Sequence, residues 1–112
     1  MLQREKRIPK KLFKELAKNK SYHGEFFSVR VSFLTGKIET PKAVCVVSKK
    51  INKRAVARNK IKRQVYSIII DRLSGSNKKS AIQIFPKKEA LLKKYSDLEI
   101  DLIKIIEINN LL

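Results

Sequence analysis

Between Thr40 and Ile70 the chain carries nine cations and no carboxylate: Lys42, Lys49, Lys50, Lys53, Arg54, Arg58, Lys60, Lys62 and Arg63. An ordinary solvated helix relieves its charge with acidic partners three or four residues away, and none is available here. The same stretch is not a polar tail. Ala43-Val44-Cys45-Val46-Val47-Ser48 is apolar on both faces, as expected of a central strand. Beyond it, Ala57, Ile61, Val65 and Ile68 recur at i, i+4, i+8 and i+11, one buried stripe of a helix running from near Lys53 to about Leu73. The charge is therefore mounted on a strand leading into a helix, and a polyanion is its natural partner.

The whole chain agrees. Its 112 residues hold 27 Lys plus Arg against 10 Asp plus Glu, a formal net charge of +17. With 43% apolar residues it has the means to bury a modest core. We expect a single domain over residues 1–112, with residues 1–8 disordered. No apolar run approaches the roughly 18–20 residues that span a bilayer, so no membrane partner is expected. No signal peptide is visible, since the basic N-terminus lacks a following apolar segment. Cys45 is the single cysteine, which suits a reducing cytoplasm and a small core residue.

The flanking segments complete an α-β-β-α-β-α order, with room for one extra short strand. Pro9 opens a helix carrying Leu12, Phe13 and Leu16 through about Lys18. Residues 19–24 read as a turn, placing His23 in solvent. From Phe26 to Phe33 the chain alternates, with Phe27, Val29, Val31 and Phe33 inward and Ser28, Arg30 and Ser32 outward. Thr35-Gly36-Lys37 turns it. Gly75 is a candidate stop for the long helix. Ala81 to Phe85 is a short strand closed by Pro86. Ser96-Asp97-Leu98-Glu99 has the capping-box pattern for a last helix to about Asn109, with Leu98, Leu102, Ile105 and Ile106 buried. The fold class is α+β, a small mixed sheet covered by helices.

The run Val47-Ser48-Lys49-Lys50, then Ala55-Val56-Ala57-Arg58-Asn59-Lys60-Ile61-Lys62-Arg63, resembles the signature of the bacterial ribonuclease P protein component. The match is dense over the 17 residues from Val47 to Arg63, and the flanking elements agree in order. The resemblance implies a compact α/β sandwich with a left-handed β-α-β crossover, although chain order alone favours a right-handed one. It implies an endoribonuclease that removes the 5′ leader from precursor tRNA, with a catalytic RNA subunit as the seat of the chemistry. Mg²⁺ is then held mainly by RNA, one protein serves each RNA subunit, and this chain supplies no catalytic or metal-binding residue of its own.

Two surfaces carry over from the resemblance. Lys49, Lys50, Arg54, Arg58, Asn59, Lys60, Lys62 and Arg63 are expected against the RNA subunit, where cations meet phosphates and Asn59 bonds sugar, base or backbone. Asn59 is a poor helix former in mid-helix, which favours a specific hydrogen bond there. Phe13, Ala17, Ser28 and Arg30 mark a cleft for the single-stranded leader. Three positions depart from the family pattern. Ala17 stands where a second aromatic is frequent, Arg30 where the strand often has an aromatic, and Tyr66 where another Arg is usual. Leader contact here is expected to rely more on charge than on stacking, and Tyr66 loses a phosphate contact or replaces it by stacking.

Other functions fit less well. Asp97, Glu99 and Asp101 are the only local acidic group, and two of them suit a helix N-terminus, so a protein-borne metal nuclease is poorly supported. One His and one Cys are too few for a zinc site. A structural RNA-binding protein of ribosomal type fits composition and charge equally, and only the signature separates it.

Overall fold

The computed structural model describes residues 20–32, 42–76, 81–109 and 111–112. The expected N-terminal helix with Phe13 and Ala17, the disordered residues 1–8, Phe33 and the turn at Thr35–Lys37 lie outside them. The described chain runs β1 (Lys20–His23), β2 (Phe27–Ser32), β3 (Lys42–Cys45), α1 (Ala55–Gly75), β4 (Ala81–Pro86), a 3₁₀ turn (Lys88–Leu92) and α2 (Tyr95–Ile108). The strands form one mixed sheet in the order β1-β2-β4-β3. β1–β2 and β2–β4 pair antiparallel, and β3–β4 pair parallel through the α1 crossover.

β2 alternates as its sequence demands as far as Val31, whereas Ser32, expected outward, is buried at the strand's end. Phe27, Val29 and Val31 are buried on the helix-facing side. From β4 come Ile82 and Ile84, and from β3 come Ala43 and Cys45. α1 contributes Ile61, Val65, Ile68, Ile69 and Leu73, and α2 adds Leu98, Leu102, Ile105 and Ile106. All belong to one core cluster. Each such aliphatic or aromatic side chain contributes about 1.5–3 kcal/mol by leaving water.

Several expectations are corrected. Residues 20–23 form strand β1, not a turn. Only Tyr22 among them is even half-buried, so the segment has no apolar alternation to read. Its order comes from the ladder pairing Lys20 with Val31 through His23 with Ser28. β3 is an edge of the described sheet, and β4 sits between β2 and β3. An apolar run reports burial on both faces of a strand, not its place in the hydrogen-bonding order. In α1 the buried stripe omits Ala57, which is half-buried, and extends to Ile69 and Leu73. Gly75 is the last helical residue, and a Cβ there would meet nothing within 4 Å, so no steric demand selects glycine. The capping box does not form. α2 begins at Tyr95 behind an N-cap Lys94 that makes no side-chain cap. Both Asp97 and Leu98 donate their N–H to the Lys94 carbonyl at 3.1 Å, which puts Ser96 inside the first turn. Tyr95 itself is tied to α1, its hydroxyl donating to Ser67 Oγ at 3.1 Å.

One polar anchor joins the far ends of the sequence. The Asp101 carboxylate on α2 is buried and accepts the backbone N–H groups of Glu25 and Phe26, both at 2.9 Å. Gly24, beside them, has no room for a side chain: a Cβ would lie 2.8 Å from the Asp101 carboxylate and 2.6 Å from Ile105 Cδ1. Lys87 finishes the knot, its ammonium donating to the Gly24 carbonyl at 2.8 Å.

Candidate nucleic-acid interface

The first surface grows from the end of β3. After Val47 the chain turns, the Ile51 N–H closing on the Ser48 carbonyl at 3.1 Å. Lys49 and Lys50 are exposed in that turn. Asn52 then directs the chain into α1. Its Oδ1 accepts the Arg54 N–H at 2.8 Å, an Asx turn that satisfies a backbone donor just ahead of the helix. Arg58, one turn into α1, reaches back and donates from one guanidinium nitrogen to the carbonyls of Asn52 at 3.1 Å and Lys53 at 3.3 Å. The remaining guanidinium donors stay available.

Within α1, Arg54, Asn59, Lys60 and Arg63 are exposed, whereas Arg58 and Lys62 are half-buried at the edges of the buried stripe. The Asn59 side chain makes no hydrogen bond among the described residues, so its donors and acceptor face outward. No acid stands in the first turn of α1. The partial positive charge of the helix N-terminus thus adds to the side-chain cations, an arrangement suited to phosphate.

The Tyr66 hydroxyl is engaged within the fold. The phenol oxygen accepts the Cys45 N–H at 3.1 Å and pins α1 to β3. Cys45 itself is buried, and desolvation pushes its thiol from 9.0 up to about 12, against a smaller lowering by the nearby Lys62 charge. It is the inert core residue expected.

The second surface is the face of the sheet turned away from α1 and α2. Ser28 and Arg30 stand half-buried on β2, paired with His23 and Ser21 of β1 on one side and with Phe85 and Gln83 of β4 on the other. His23 is exposed as expected, and its Nδ1 is hydrogen-bonded to Ser28 Oγ at 2.9 Å. The Arg30 guanidinium lies over the Phe85 ring, 5.5 Å from its centroid. Arg30, Phe85, Ser28 and His23 line a shallow cavity of about 280 Å³. Of the four cleft residues read from the sequence, Ser28 and Arg30 are brought together, and Phe13 and Ala17 lie outside the described residues.

Two contributors escaped sequence reading. Asn52 organises the helix start, and its signal was an Asn two residues ahead of a helix. Phe85 supplies an aromatic on the outer face. Once Ile82 and Ile84 point into the core, the period of two puts Gln83 and Phe85 on the other face, where Gln83 is buried and Phe85 half-buried.

Among the described residues no three His, Cys, Asp or Glu side chains gather into a set that could hold a metal ion. No described helix is long and apolar enough to cross a membrane.

The chain matches the family model described as Ribonuclease P over residues 2–109. It is 44% identical over 63 residues to a ribonuclease P protein component of Rickettsia prowazekii, an alignment covering 54% of this chain and 52% of that protein. The chain thus spans about half the length of the curated relative it matches. Its fold is similar to that of the Staphylococcus aureus RNase P protein, with a TM-score of 0.83 at 22% identity, covering 95% of this chain and 96% of that one. The Thermotoga maritima RNase P protein gives a TM-score of 0.72 at 23% identity, over 88% and 92% of the two chains.

Proposed function

Because the chain belongs to the ribonuclease P family, we propose that it is the protein subunit of a ribonucleoprotein that cuts the 5′ leader from precursor tRNA. The observation that carries this reading is the acid-free, outward-facing cation set at the turn after β3 and the start of α1, which has the residue types of the family signature.

Lys49, Lys50, Arg54, Arg58, Asn59, Lys60, Lys62 and Arg63 dock on the catalytic RNA, one protein to one RNA. Lys and Arg there lower the repulsion between phosphates brought close by RNA folding. Mg²⁺, held mainly by that RNA, supplies the charge stabilisation that phosphodiester cleavage needs. The protein reduces the amount of Mg²⁺ required because its cations share the task. The outer face of the sheet receives the unpaired leader. Arg30 meets its phosphates, and its guanidinium plane, seated on the Phe85 ring, gives a base something to stack on. The loss of aromatics at Ala17 and Arg30 is thereby offset from β4. The working compartment on this reading is the cytoplasm.

The test is cleavage of a labelled precursor tRNA by a bacterial ribonuclease P RNA at low Mg²⁺, with and without the protein. Restored cleavage at the correct 5′ position, with the protein inert alone, is the expected result. Tight RNA binding without any effect on cleavage by several such RNAs would favour a structural RNA-binding protein instead.

A further inference from the structure

We infer that the cleft between the start of α1 and the 3₁₀ turn receives one unstacked nucleobase of the catalytic RNA, an inference that rests on the docking function proposed above. The cleft has a volume of about 240 Å³. That is below the roughly 300–1,000 Å³ typical of drug-sized ligand sites and on the scale of a single planar heterocycle.

Apolar and polar side chains share its walls. Ala57 and Ile61 of α1 form one side, and Leu91 and Leu92 of the 3₁₀ turn form the other. Leu92 is 89% exposed, a large aliphatic side chain left in solvent beside a cationic helix. A flat base laid against Leu92 would cover it.

Two carboxamides, Asn52 and Gln64, share the lining. The Asn52 oxygen is occupied by the Arg54 N–H, which leaves its NH₂ group as a donor. The Gln64 carboxamide makes no hydrogen bond among the described residues, although the residue is half-buried. Together they offer both donors and an acceptor, the complement that the edge of an unpaired base requires. Lys60 and Lys93, which also line the cleft, supply cations for the adjoining phosphate.

Charge selects this cleft over its neighbours. Its lining contains no carboxylate, whereas the two clefts flanking the β1–β2 turn are both lined by Glu25 and Asp101. A nucleotide approaching the latter meets like charge. Paired RNA is also a poor occupant, because its bases are stacked and their pairing edges used.

Assembly of full-length Gln64→Ala and Leu92→Ala variants with a bacterial ribonuclease P RNA, measured over a salt series, tests the inference. Neither residue neutralises a phosphate. Each variant should weaken assembly by about tenfold, the scale of one well-made hydrogen bond or a lost stack, and leave the salt slope unchanged. Base-specific methylation of the assembled RNA should show one unpaired base protected by the wild-type protein and exposed with Gln64→Ala. If both variants assemble normally while Arg63→Ala does not, the base pocket is wrong and the docking surface stands. If Arg63→Ala also assembles normally, the docking function itself fails. A changed salt slope in Gln64→Ala would mean that the residue acts on phosphate contacts, which likewise overturns the pocket.

Discussion

Cys45 shows how a single side chain registers its surroundings. Its sulfur sits on β3 beneath Tyr66, 2% exposed, and burial holds the thiol protonated up to about pH 12. The folded value lies above the ordinary 9.0, so folding favours the neutral form. That contribution to stability is complete below pH 9 and declines as the pH rises from 9 toward 12. At pH 8 the native protein should therefore resist iodoacetamide and react promptly once urea unfolds it. Native labelling at the rate of a free thiol would show that β3 opens readily.

At the scale of elements, the entry to α1 depends on Asn52 and Arg58 acting together. One holds the Arg54 N–H, and the other gathers the carbonyls of Asn52 and Lys53. Arg58→Ala should cost roughly 0.5–1.5 kcal/mol in urea unfolding and also weaken RNA assembly. A variant whose stability is unchanged would show that the back-folded guanidinium is not holding the helix start. This double duty was hidden in the sequence, where Arg58 reads only as one cation among nine. Segments with a period were legible: β2, the α1 stripe and the buried face of α2 follow directly from apolar spacing. β1 was not, since Lys20-Ser21-Tyr22-His23 owes its shape to its partner strand. The capping box on α2 misled because Ser96 is a good cap only if the helix waits for it. Of the candidate site, the cations were legible as residue types in the signature, while Phe85 needed the strand register that only the sheet supplies.

At the scale of the whole molecule, charge is unevenly placed among the described residues: the start of α1 carries cations and no acid, while α2 carries Asp97, Glu99, Asp101 and Glu107 beside Lys104. The last turn of α1 even pairs with that acidic helix, Arg72 meeting Glu107 at 3.0 Å. Location should then matter more than total charge. Arg63→Ala is expected to reduce the steepness of log affinity against log salt by about 0.7–0.9, one phosphate contact. Lys104→Ala removes the same unit of charge from α2 and should leave that slope alone. Equal changes in both would mean that net charge, not a defined face, governs RNA binding.

The strand order also dictates when this protein can acquire its shape. β2 and β3 are not neighbours in the described sheet, and each hydrogen-bonds to β4, which is made after both. The Asp101 anchor on the β1–β2 turn comes later still, spanning 75 to 76 residues of sequence. At about 5–20 residues per second, a chain growing on the ribosome passes from the end of α1 to Asp101 in about one to five seconds. Until residues 81–86 have been made, β2 lacks the strand that pairs with its inner edge. The sheet is thus completed late, and the newborn chain is most open to aggregation before β4 has been made.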